Sequence, residues 1–114
     1  NDFNAAVKKM MASALVDIKL IDKQASEEER KQLTQKYFPH GTSHFMGIDV
    51  HDVGARYEKI EENMCFTIEP GIYIRDEGIG VRIENDIIVK DGKNFDLMAN
   101  IPITVEEIEE LMAK

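Results

Sequence analysis

A single cysteine, Cys65, in a chain of 114 residues excludes an internal disulfide and fits a reducing compartment. It stands between Met64 and Phe66 with no electropositive neighbour in sequence, so it reads as a small buried hydrophobe rather than a nucleophile. Basic residues are scarce: 14 Lys and Arg face 22 Asp and Glu, for a net charge of −8. They are also scattered, which leaves no basic footprint for nucleic acid or for an anionic membrane surface. No apolar run approaches the length of a membrane span, and no stretch resembles a signal peptide. Together with the lone thiol, this makes the cytoplasm the expected location. Several catalytic templates are missing too. DEGIGVRIE has too few glycines for a phosphate loop and leads into a strand, Ser43 lacks a nucleophile elbow, and there is no Cys-x-x-Cys pair for structural zinc. The opening NDFNAAV has no initiator Met, as expected of a processed chain or of a piece of a longer one.

What is present is the composition of a globular domain, 43% hydrophobic and 32% charged, with one domain expected at this length. Phe3, Val7, Met10, Met11, Ala14, Leu15 and Ile18 recur at helical spacing and predict an amphipathic helix over about residues 2–20. Ser26 and Glu29 form a capping-box pattern ahead of a second helix, EEERKQLTQKYF, which must stop before Pro39. The period then changes. In MCFTIE, Met64, Phe66 and Ile68 alternate with Cys65, Thr67 and Glu69. GIYIR, a turn at DEGIG, VRIENDIIV and a turn at DGKN follow, an antiparallel pattern in which Val81 and Ile83 share a face opposite Arg82 and Glu84. Thr104 and Glu107 form a second capping box, opening a helix with the stripe Val105, Ile108, Leu111 and Met112. The Glu-rich runs read as solvated helix faces. The order of elements predicts an α+β fold, an antiparallel sheet with helices on one face.

All three histidines, His40, His44 and His51, lie in HGTSHFMGIDVHDVG at residues 40–54. Downstream, strand alternation carries Glu69 to the face opposite Phe66 and Ile68, and Glu84 to the face opposite Ile83. If both strands belong to one sheet, the two carboxylates meet on one surface beside the Arg82 guanidinium. Their contexts, IEP and RIEN, are mostly apolar, and a carboxylate there needs a cation or several donors. Pro70 keeps residue 69 extended, which fixes the direction of its side chain. A His/Glu/Glu set suits a divalent metal, with oxygen-rich ligation favouring Mn, Co or Fe while leaving Zn open. Asp49 and Asp52 read as turn residues or as groups that fix a histidine tautomer. The plainer alternatives stay open at this point: Glu69 as a surface residue at a strand end, or histidines and glutamates paired with one another without metal.

Three motifs, HGTSHFMGIDVHDVG, MCFTIEPGIYI and GIGVRIENDIIV, together with the closing NIPITVEEIEELM, resemble the C-terminal part of an Xaa-Pro peptidase. That family contains aminopeptidase P and prolidase and has the pita-bread fold shared by creatinase and methionine aminopeptidase. The resemblance implies metal-dependent hydrolysis of the Xaa-Pro bond at the N-terminus of peptides. Prolidase action on Xaa-Pro dipeptides, or a peptide-binding module without catalysis, is the alternative. It implies two divalent ions, commonly manganese, with cobalt, iron and zinc as other candidates. His44, Glu69 and Glu84 would be metal ligands, Glu69 would also carry a proton, and His40 and His51 would contact substrate and the developing oxyanion. Arg82 would orient the carboxylates. The family also takes two aspartates from strands upstream of the first helix; Asp2, Asp17 and Asp22 are not so placed. Residues 1–114 are therefore expected to be the C-terminal portion of a catalytic domain whose upstream half is absent. The metal site should be incomplete and the chain alone inactive. Expected partners are peptides with proline second, the absent half, and further copies of the chain.

Overall fold

The computed structural model describes residues 2–54 and 58–113. Helix α1 (Asp2–Asp17) ends where Lys19 adopts a φ of 64°, and the N–H groups of Leu20 and Ile21 both return to the carbonyl of Leu15 at 2.9 and 3.2 Å. Helix α2 (Glu27–Tyr37) opens with the predicted capping box: Ser26 Oγ accepts from the Glu29 N–H, and the Glu29 carboxylate accepts from the Ser26 N–H at 2.9 Å. It stops at Phe38, ahead of Pro39. Four short strands follow, β1 (Cys65–Ile68), β2 (Gly71–Ile74), β3 (Ile79–Arg82) and β4 (Asn85–Ile88), then the two-residue β5 (Phe95–Asp96) and helix α3 (Val105–Met112). The fold is α+β, with every strand pair antiparallel.

The chain divides into two compact units, each built from two stretches of sequence. The first unit joins Asn1–Ser43 to Glu69–Arg82. Its helices α1 and α2 pack together, and α2 packs on β2. Leu15, Ile21 and Phe38, none more than 1% exposed, are its core. Strands β2 and β3 pair from Gly71↔Arg82 to Ile74↔Ile79. A single turn of 3-10 helix at Arg75–Glu77 joins them, closed by Gly78 at φ +67°, a conformation that glycine adopts without strain. Lys36 on α2 forms an ion pair with Asp76 at 2.9 Å.

The second unit joins His44–Ile68 to Ile83–Lys114. Its sheet has the order β1-β4-β5, with Phe66 opposite Ile87 among the paired residues. On the other edge of β1 the histidine-bearing segment adds a bridge, Phe45↔Phe66, held by the bonds Thr67 N–H to His44 O (3.0 Å) and Met46 N–H to Cys65 O (3.3 Å).

Three expectations need correction. The α1 stripe is narrower than its periodicity suggests: Phe3, Val7 and Met11 are half-buried and Leu15 is buried, while Met10, Ala14 and Ile18 are exposed. The packed neighbour is α2, and Ala12 and Val16 are half-buried beside Met11 and Leu15, so the covered face is turned away from Met10, Ala14 and Ile18. VRIENDIIV is two strands rather than one run, and both Val81 and Ile83 are exposed. Pro70 has no N–H to offer a ladder, so pairing ends on Ile68↔Asn85 in one unit and begins on Gly71↔Arg82 in the other. The single expected sheet is accordingly two ladders.

Candidate metal centre

In the second unit, two hydrogen bonds fix the backbone of His44. Its N–H donates to Thr67 Oγ1 at 3.1 Å, and its carbonyl accepts from the Thr67 N–H. The ring is fixed as well: Nδ1 lies 3.1 Å from the Phe45 carbonyl, which can only accept, so Nδ1 carries the proton. The Nε2 lone pair is then presented 4.0 Å from Oε1 of Glu84, too far for a hydrogen bond between them. A neutral imidazole nitrogen and a carboxylate oxygen so placed are donors of the kind that divalent metals take.

His51 reaches the same place through a closed loop. The Asp52 N–H donates to the Phe45 carbonyl at 3.2 Å, and the Asp52 carboxylate accepts from the N–H groups of Val53 (2.6 Å) and Asp49 (3.4 Å). These bonds, the one from Val53 above all, hold the Asp52 carboxyl below the usual carboxylate range. A Cβ on residue 47 would collide with the Asp52 carboxylate, so a larger residue there would displace that side chain. The outcome is an edge-to-face contact between the His44 and His51 rings, with centroids 4.4 Å apart at 83°. Of the two roles expected for Asp52, the structure displays the turn role.

The first unit holds the remaining candidates. Glu69 follows β1 directly; its N–H donates to Thr42 O at 2.8 Å and its side chain is only 13% exposed. Arg82, at the end of β3, places Nε 3.7 Å from Glu69 Oε2, a charge-charge contact that offsets the cost of covering the carboxylate. The His40 ring has a partner at each nitrogen, Nδ1 to Gly41 O at 2.6 Å and Nε2 to the Tyr73 hydroxyl at 2.8 Å. It also packs edge-on against Phe38 and Tyr73. Tyr73 and Thr67 were not foreseen. Each lies in a strand whose alternation was legible, but the contact with a histidine spans 33 residues for Tyr73 and 23 for Thr67, and no local pattern encodes it.

A histidine nitrogen beside a carboxylate, borne on an antiparallel α+β frame, is a donor pair of the kind that divalent metals take. A family model described as metallopeptidase family M24 matches residues 2–91, and the chain belongs to that family. It is 37% identical over 118 residues to an Xaa-Pro aminopeptidase of Escherichia coli, an alignment covering 93% of this chain and 27% of that protein. It is 34% identical to Xaa-Pro aminopeptidase 2 of Streptomyces coelicolor, covering 99% of the chain and 27% of the relative. Among solved structures, zinc-substituted E. coli aminopeptidase P in complex with product matches with a TM-score of 0.80 at 37% identity, over 95% of this chain and 27% of that one. Pseudomonas aeruginosa aminopeptidase PepP matches with a TM-score of 0.82 at 34% identity, over 96% and 28% of the two chains. The chain thus spans about a quarter of the length of these relatives. Membership of a metallopeptidase family implies divalent metal ions.

Proposed function

We propose that this chain is the C-terminal portion of the catalytic domain of an aminopeptidase P-like enzyme. The intact protein then removes the N-terminal residue from peptides with proline in second position, in a metal-dependent reaction. The observation that carries this reading is the placement of the His44 Nε2 lone pair 4.0 Å from the Glu84 carboxylate, with the tautomer set by the Phe45 carbonyl. The family resemblance of the motif MCFTIEPGIYI adds Glu69 to the set. His44, Glu69 and Glu84 would hold the metal, with the remaining ligands supplied by two aspartates outside this sequence. Two manganese ions are the proposed complement of the complete site. When bound, the cations supply Lewis acidity, which polarises the scissile carbonyl and acidifies water.

The chain's own residues do the rest. Glu69 collects and returns the proton, and Arg82 keeps its carboxylate oriented. His40 and His51 bind substrate, and His51 donates a hydrogen bond to the oxyanion as it develops. The proposed location is the cytoplasm, where the single thiol of Cys65 stays reduced.

Titration calorimetry with Mn²⁺ tests the reading. The 114-residue chain should take up at most one ion tightly, and His44→Ala or Glu84→Gln should abolish the signal. In the intact protein the same substitutions should lower Xaa-Pro hydrolysis by more than the roughly 10–100-fold that follows loss of a ligand's supporting partner. Two tightly bound ions in the short chain, or rapid turnover by it alone, would overturn the assignment.

A further inference from the structure

Thr67 is 1% exposed in the middle of β1, with Phe66 and Ile68 as its strand neighbours. Valine has the same shape and at least as good a fit to a strand, so packing alone gives no reason for a hydroxyl here. The hydroxyl has a use in the backbone of His44: Thr67 Oγ1 accepts the His44 N–H at 3.1 Å while the Thr67 N–H donates to the His44 carbonyl at 3.0 Å. Both backbone polar groups of His44 are therefore held by one buried residue. The ring's Nδ1–H then finds the Phe45 carbonyl at 3.1 Å, and Nε2 is directed at Glu84.

From this geometry we infer that Thr67 is a positioning residue for the metal centre, setting the orientation and tautomer of the His44 imidazole through the backbone. This deepens the proposed function and rests on His44 being a metal ligand. A buried partner of this kind typically governs ligand orientation and with it affinity for the ion.

The test uses the intact protein with Thr67→Val and Thr67→Ser, read by Mn²⁺ calorimetry and, in the metal-free state, by nitrogen NMR of the His44 ring. The expected result is Mn²⁺ binding weakened roughly 10-fold or more by Thr67→Val, and restored by Thr67→Ser. In the metal-free protein the Nδ1–H tautomer should dominate in the wild type and in Thr67→Ser, and both tautomers should average in Thr67→Val. If the valine variant does not fold, Thr67→Ser against Thr67→Ala poses the same question. Wild-type affinity and ring signals in Thr67→Val, or a serine variant as weak as the valine one, would overturn the inference. Failure of the underlying reading looks different: His44→Ala would then bind Mn²⁺ as the wild type does, while the ring signals would still report whether Thr67 sets the tautomer.

Discussion

Glu29 and Glu107 each close a capping box by accepting the backbone N–H and the hydroxyl of the N-cap residue, Ser26 and Thr104 respectively. Both carboxyls lie below their usual range, Glu29 chiefly through the Ser26 backbone bond and Glu107 chiefly through the Thr104 hydroxyl. A carboxyl whose pKa is lower in the folded state adds stability above its unfolded pKa, and that stability is lost as pH falls through the folded value. Ser26→Ala should cost about 1 kcal/mol at neutral pH. In urea unfolding followed by circular dichroism, the gap between variant and wild type should shrink as pH drops below about 4. A gap that widens in acid would contradict the sign. These caps were legible in the sequence because donor and acceptor are three residues apart. The bond from Tyr73 to His40 spans 33 residues and was not.

At the scale of elements, coverage matters as much as periodicity. Leu15 is fully buried between α1 and its surroundings while Met10, on the same predicted stripe, is 70% exposed. Leu15→Ala should therefore destabilise the fold by about 2–5 kcal/mol, and Met10→Ala by no more than about 0.5 kcal/mol. Equilibrium unfolding separates the two, and equal costs would mean that α1 presents a wider face than the structure displays. The strands teach a related lesson. Alternation placed Phe66 and Thr67 on opposite faces, and both are buried; it placed Val81 and Ile83 on one face, and both are exposed. Alternation says which residues share a face, and says nothing of whether a neighbour covers that face.

Over the whole chain, no helix among the described residues is long and apolar enough to cross a membrane. The net charge is −8, yet large apolar side chains are uncovered along α3, where Val105, Ile108, Leu111 and Met112 are 45–81% exposed. An apolar helix face of this kind favours association. The isolated chain should sediment as a mixture of monomer and higher species, and Ile108→Lys with Leu111→Lys should shift it toward monomer. A monodisperse wild-type monomer across the accessible concentration range would refute this.

The sequence by itself determined the helix starts, the strand alternation, the supply of histidine and carboxylate donors and, through three motifs, the metallopeptidase family. Each of these is set by residues within a few positions of one another or by residue type alone. Tertiary structure decided which apolar faces are covered, where VRIENDIIV breaks, and that Thr67 and Tyr73 serve histidines. Those outcomes depend on strand register and loop closure, which bring together groups separated by tens of residues, and only the folded chain fixes such distances.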